Sequence, residues 1–300
     1  MRVRIVDNPY SFRGPYPVER VLPTFAAAGL AVDVVHRLPG VLGDRLVDEA
    51  RRDGIELLVA AGGDGTLRDL ASAIVGTPLV LGILPGGTAN VVARELGIPL
   101  RPEWAARLLV NGRTRYLDLG RLELDDGRWV RFCLACSLGL DAAGLRATDA
   151  GLKRRVGPLA IGLGLARAIP AARPFGARLR VEGAPAWEGR AWQLVTSNTA
   201  RYAVYLRPSP EARVDDGLLD LCLVTAAGPL GLARTLGSLA LRGRPDASGA
   251  RWFLGRAFEL ELEGPTAGQL DGSPLAPLLG GLLRLTVEAG VLPVRLPAQA

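Results

Sequence analysis

Two short stretches carry residue types suited to phosphate chemistry. Ala61-Gly62-Gly63-Asp64-Gly65-Thr66 follows an apolar run and precedes a helical pattern, and Leu84-Pro85-Gly86-Gly87-Thr88-Ala89-Asn90 repeats the device. Glycine removes the Cβ that would hold a ligand away from the backbone. The free amides at each following helix start suit a phosphate. Thr66 is placed to cap the first helix with Asp69 as its capping-box partner, and Thr88 to cap the second. Asn90 and Arg94 fall one turn apart on that second helix. An acid inside an anion-binding loop, Asp64, needs a cation or a hydroxyl between itself and phosphate. A Mg2+-linked or proton-accepting role is therefore expected of it. Read alone, the first stretch also fits a plain glycine-rich βα turn with a solvated Asp64; two such turns in succession favour the phosphate site. Neither matches the Walker or the Rossmann glycine pattern, which excludes a P-loop ATPase and argues against a dinucleotide site.

Other chemistries find little support. His36 is the single histidine of 300 residues, so zinc sites built on several histidines are excluded. Ala135-Cys136-Ser137-Leu138-Gly139 imitates a nucleophile elbow, but in that fold the histidine follows the serine, and His36 precedes it. A hydrolase is rejected. Cys133 and Cys136 form a lone pair in an apolar run, and with Cys222 they suggest neither a zinc site nor a disulfide framework; a reducing compartment fits. The charge of +6 is spread along the chain, every basic residue but Lys153 is arginine, and aromatics make up 5%. No nucleic-acid partner is expected from that pattern.

The elements that must position these residues follow from periodicity. Apolar strands over 3–7, 31–36, 55–61 and 79–84 alternate with helices over 18–28, 44–52, 67–75 and 89–96, which predicts a parallel sheet covered on both faces. After a helix near 104–110 the pattern changes to short strands over 118–124, 129–137, 177–181, 191–197, 218–224, 257–262 and 282–287. Turn signals separate them, as in an antiparallel sandwich. Helical stretches over 152–169 and 230–241 interrupt it. The expected division is an α/β domain over 1–118, rejoined by a last strand over 291–297, and a β-sandwich over 119–290. No charge-free apolar run reaches the roughly 18 residues of a membrane span. Residues 1–10 enter a strand without a signal-peptide core, so a cytoplasmic protein is expected.

In order along the chain, these residues resemble the diacylglycerol kinase catalytic-domain family, bacterial lipid kinases related to sphingosine kinases and more distantly to NAD kinases. The resemblance is carried by Asn8-Pro9, the 62–66 and 85–90 turns with Arg94, Leu117-Asp118-Leu119-Gly120 and Gly139-Leu140-Asp141. It continues through Lys153-Arg154-Arg155-Val156-Gly157, the 210–220 segment with Asp215-Asp216-Gly217, and Leu270-Asp271-Gly272. It implies an N-terminal parallel-sheet nucleotide domain facing a C-terminal antiparallel β-sandwich. ATP with Mg2+ would be bound, and a lipid hydroxyl such as that of diacylglycerol would accept the phosphate. Asn8, Pro9, Ser11, Gly62, Gly63, Asp64, Gly65, Thr66, Asp69, Gly87, Thr88, Asn90 and Arg94 would hold ATP, with Asp118 shaping the same site.

The resemblance further makes Asp64 and Asp271 the catalytic carboxylates. It places a structural metal at Asp216 with the carbonyls of Arg213 and Leu218, where the 215–217 residues alone would read as a hairpin turn. The apolar 157–168 segment is a candidate wall for the lipid tail. A transient peripheral contact with the inner face of the membrane follows from such a substrate, aided by Lys153-Arg154-Arg155. A homodimer is left open. The chain departs from the family at Ser273, where a proton-accepting glutamate is usual, and at Phe12, Val91 and Arg68-Asp69. Those changes keep two alternatives in view, a non-catalytic nucleotide- or lipid-binding member and a soluble-metabolite kinase of the NAD type.

Overall fold

A computed structural model describes residues 1–9, 16–38, 42–146, 173–202, 206–276 and 278–298. The chain divides into two compact units, Met1–Leu117 with Gly290–Ala300, and Asp118–Ala289.

The first unit is built on a parallel sheet. Strands β1 (Arg2–Asp7), β2 (Ala31–His36), β3 (Leu57–Gly62) and β4 (Val80–Pro85) run in the order β2-β1-β3-β4. Every pairing is parallel, and Val294, near the chain end, adds a parallel bridge to Leu81. β1 and β3 are buried almost throughout, as strands covered on both faces must be. Helices α1 (Leu22–Ala27), α2 (Gly43–Arg52), α3 (Asp64–Ile74), α4 (Val91–Glu95) and α5 (Pro102–Asn111) complete the unit. α2 packs on α3, and α1 on α5. The chain steps one way from β1 to β2 and the other way from β3 to β4, so the order reverses between β1 and β3. Open α/β sheets bind ligands outside the carboxyl ends of strands at such a switch. Asn8 and Gly63 leave the sheet there.

The second unit is antiparallel. One sheet runs β12 (Ala250–Gly255), β11 (Leu219–Val224), β10 (Gln193–Ser197), β7 (Ala135–Gly139), β14 (Gly268–Leu270) and β15 (Ser273–Pro274). Facing strands are β13 (Ala257–Leu262), β8 (Phe175–Val181), β9 (Ala184–Ala191) and the first half of β16 (Gly281–Leu296), beside the hairpin of β5 (Arg113–Glu123) and β6 (Trp129–Phe132). Leu138, Leu194 and Leu221 from the first set meet Leu179, Leu260 and Leu285 from the second in one buried core. Each such leucine contributes about 2 kcal/mol of transfer free energy. Helices α6 (Leu140–Arg146) and α7 (Gly228–Arg242) are added to this sandwich.

Several expectations shift in detail. The helix anticipated over 18–28 is a 3-10 turn at Val18–Arg20 followed by α1. Pro23 lies in the first turn of α1, where its missing amide costs nothing. The strand anticipated over 129–137 is two, broken at Cys133 and Leu134. β9 and β12 were not foreseen, and 281–296 is one strand rather than two. The helix anticipated over 152–169 lies outside the described residues.

Candidate active site

In the first unit the two glycine-rich turns touch through their backbones. The Gly86 amide donates to the Gly62 carbonyl at 2.8 Å. A Cβ on Gly87 would stand 2.5 Å from the Gly63 Cα, and one on Gly63 3.3 Å from the Gly87 Cα, so side chains at these two positions would force the turns apart. Asn90 locks the second turn. It adopts a left-handed backbone (φ 47°), which asparagine tolerates, and its amide side chain accepts from the Gly87 N–H and donates to the Gly87 carbonyl, both at 2.8 Å.

Asp64 joins the turns. Its two carboxylate oxygens accept from the Val91 and Val92 amides, at 3.1 and 3.2 Å, so the first residue of α3 satisfies the free amides that open α4. Burial pushes the Asp64 carboxyl above its ordinary pKa, against the lowering effect of these two amides and of the Arg94 charge. Arg94 itself is exposed and donates from Nε to the Ala89 carbonyl at 2.9 Å.

This geometry corrects the expected caps. α3 begins at Asp64 with Gly63 as its N-cap, so Thr66 lies inside the first turn. Thr66 instead accepts a hydrogen bond from the Asn8 side chain at 2.8 Å, tying the end of β1 to the start of α3 across the switch. Asp69 is not a capping-box partner; it pairs with Arg37 at 2.7 Å and Arg68 at 3.3 Å. Thr88 stands two residues ahead of the true N-cap of α4, Asn90. Gly65 is open to its surroundings, Pro9 is half-buried, and Ser11 lies outside the described residues. Sequence reasoning missed Asp7. Fully buried at the end of β1, it accepts from the Tyr16 amide at 2.9 Å and lies 3.0 Å from His36 Nδ1, which accounts for the single histidine. The signal was an acid closing an otherwise apolar strand.

In the second unit the expected residues form one connected constellation. The Asp271 carboxylate accepts from three consecutive amides, Cys133 and Leu134 at 2.8 Å and Ala135 at 3.0 Å. That grip is the reason the strand breaks between β6 and β7. Asn198 donates its side-chain amide to the carbonyls of Cys133 and Asp118 at 3.0 and 2.9 Å. Asp118, almost fully buried, then accepts from the Gly217 amide at 2.7 Å. Asp216 accepts from the Leu218 amide at 3.0 Å. Nearby, burial and then the charges of Asp216 and Glu211 push Asp220 up to about 6. Among the described residues no three His, Cys, Asp or Glu side chains gather tightly enough to hold a metal ion by themselves. The surplus of negative charge around Asp216 nevertheless suits a cation that keeps most of its waters, as Mg2+ does.

A second cluster was not read from the sequence as a site. Ser137 donates to Asp141 at 2.7 Å, Tyr202 donates to both, and Gln193 reaches the other Asp141 oxygen at 2.5 Å. Gln269 donates to Ser137 at 2.8 Å while its carbonyl accepts from the Gly272 amide at 2.7 Å, so the cluster braces the turn that carries Asp271. Burial raises the Asp141 pKa despite these donors. Ser137 thus has no histidine and no nucleophile's geometry. None of the three cysteines is in a disulfide and all are buried, with Cys222 pushed up to about 12 by burial, which leaves them chemically quiet.

The first unit is thus a parallel sheet with two touching glycine turns, and the second an antiparallel sandwich that carries Asp271, Asp118 and Asp216. The diacylglycerol kinase catalytic domain matches residues 2–122, and the YegS C-terminal NAD kinase beta sandwich-like domain matches residues 135–294. A probable lipid kinase YegS-like of Xanthomonas oryzae is 33% identical over 261 residues, spanning 84% of this chain and 83% of its own. One from Pseudomonas aeruginosa is 36% identical over 263 residues, spanning 85% and 81%. The chain belongs to this family of lipid kinases. Its fold is that of a putative diacylglycerol kinase from Bacillus anthracis, at a TM-score of 0.78 and 20% identity over 98% of this chain and 94% of that one. An NAD kinase from Archaeoglobus fulgidus solved with ATP is more distant, at a TM-score of 0.53 and 12% identity over 98% and 93%.

Proposed function

We propose that the protein transfers the γ-phosphoryl group of ATP to the hydroxyl of a lipid alcohol such as diacylglycerol. The observation that carries this reading is the Asp64 carboxylate bonded to the Val91 and Val92 amides, which joins the two glycine turns at the strand-order switch. Glycine at 63 and 87 lets the two turns touch, and paired glycine turns opening helices offer the backbone amides that a triphosphate requires. The Archaeoglobus relative of this fold was solved with ATP, and the curated relatives are named lipid kinases.

Each residue then has a role. Asn8 and Thr66 hold the edge of the phosphate site, Arg94 adds positive charge, and Asp64 accepts the acceptor's proton as the bond to phosphorus forms. The raised pKa of Asp64 suits it to that step, since a base works best with a pKa nearer the operating pH. Asp271 spends three of its lone-pair positions on amides, so in this reading it positions the 133–135 loop. Mg2+ would be held at Asp216 with the Arg213 and Leu218 carbonyls and at the triphosphate; it supplies charge neutralisation. The sequence pattern from Pro85 to Asn90 follows the lipid-kinase form, which disfavours a soluble NAD-type acceptor.

The test is phosphate transfer from ATP to diacylglycerol in mixed micelles, with NAD as the competing acceptor. Lipid phosphorylation is expected, and Asp64→Asn is expected to lower kcat by about 100-fold or more with ATP binding within a few-fold of the parent. ATP binding without any product would establish the non-catalytic alternative instead.

A further inference from the structure

Helix α7 has apolar residues on two faces. Leu232 points inward and Leu236 packs beside it against Leu140, Val224 and Ala226. Leu230 and Leu241, by contrast, are 84% and 88% exposed. With 3.6 residues per turn, positions 230, 234, 237 and 241 share one outward stripe, and its two leucines stand about 16 Å apart. An outward pair of leucines this exposed is poorly explained by packing within the unit.

The charge around the stripe is one-sided. No Asp or Glu occurs from 225 to 245, while Arg234, Arg242 and Arg244 do. Arg234 is paired with Asp246 at 3.3 Å; Arg242 and Arg244 are exposed. At the same end of the helix, the Arg207 amide donates to the Gly243 carbonyl at 2.6 Å, which brings a further exposed arginine alongside. Trp252 donates its indole N–H to the Pro208 carbonyl at 2.7 Å and remains 41% exposed as a residue. A tryptophan with its polar edge satisfied and part of its surface in water belongs to interfaces that are apolar on one side.

We propose that this face of α7 docks the protein on an anionic lipid bilayer, with Leu230, Leu241 and Trp252 entering the headgroup region and Arg207, Arg242 and Arg244 meeting lipid phosphates. A helix with exposed leucines flanked by arginines lies in the plane of such an interface. A second copy of the chain is the weaker occupant, because a two-fold contact would set the same uncompensated arginines against one another. The inference deepens the proposed function, on which it rests for the nature of the substrate. Its readout is binding rather than turnover, so the two can fail separately.

The experiment is co-sedimentation with phosphatidylcholine vesicles prepared with and without phosphatidylglycerol, using the full chain without ATP. Binding is expected only to the anionic vesicles, and to weaken as salt is raised. The double variant Leu230→Ser/Leu241→Ser, and separately Arg242→Gln/Arg244→Gln, is expected to weaken it by about tenfold or more. Thermal unfolding should be unchanged, since all four side chains are exposed. Equal binding by parent and both variants, or none by the parent while micellar lipid is phosphorylated, overturns the proposal. So does a dimer in sedimentation equilibrium that the leucine variant abolishes. Vesicle binding without any lipid phosphorylation would leave the docking face standing and sink the kinase reading.

Discussion

Two aspartates in separate units hold backbone amides in similar ways and to different ends. Asp64 takes the first amides of α4 from another turn, beside glycines whose backbones touch. Asp271 grips three amides in the gap between β6 and β7 and is braced from behind by the Gln269–Ser137–Asp141 cluster. The first arrangement spends its rigidity on holding two glycine turns together, as the proposed ligand site needs. The second spends it on holding a loop in one shape. The same chemical device, carboxylate on amide, thus joins two turns of the proposed binding site in one place and supports a loop in the other.

That contrast can be broken most directly at Asp64. The loss of turnover in Asp64→Asn, worth about 3 kcal/mol at the transition state for a hundredfold effect, should come with little loss of stability, because asparagine still accepts from one amide. Asp271→Ala should do the reverse. It leaves three amides without their acceptor and puts alanine at a left-handed φ of 47°, so chemical denaturation should show a loss of about 3 kcal/mol or more. If the Asp271 variant is instead fully stable and merely inactive, the supporting role is wrong.

Gly87→Ala sharpens the first half of the comparison. Its Cβ meets the Gly63 backbone, which no rotamer can relieve, so about 1–3 kcal/mol of strain is expected with a loss of ATP affinity of tenfold or more by calorimetry. Unaltered ATP binding would detach the turns from the nucleotide.

The smallest effect is electrostatic. The folded state holds the Asp220 proton up to about pH 6, against 3.8 for the free group. Its contribution to stability is therefore present below the lower value and lost as pH rises through the higher one. Half-exposure screens it, so denaturant midpoints should register about 1 kcal/mol between those limits, and Asp220→Asn should flatten the slope. Added Mg2+ should restore part of that stability at neutral pH if a cation sits at Asp216.

Much of this was legible in the residues. Apolar runs and their glycine stops identified β1, β2, β3 and β4 closely, because a strand buried on both faces has little freedom in composition. Turn residues and spacing also picked out the 62–66 and 85–90 segments. The caps were misread. Thr66 and Thr88 have the right type for local capping, yet the first amide of α4 is taken by Asp64, 27 positions before Val91, and Thr66 was taken up by Asn8. Helix α3 consequently starts three residues earlier than its apolar periodicity suggests. The break after Phe132 was hidden as well, since Cys133 and Leu134 are apolar and nothing local interrupts the strand.

Side-chain type and period, which act within a few residues, were enough for the sequence to determine the sheet classes, the order of the elements and the two glycine turns. Which amide each aspartate holds was decided only by the tertiary structure. Asp271 reaches loops 136 to 138 positions away, and Asn198 reaches Asp118 across 80. A carboxylate satisfies whichever buried donor the fold delivers to it, and that delivery is a property of packing that no local pattern records.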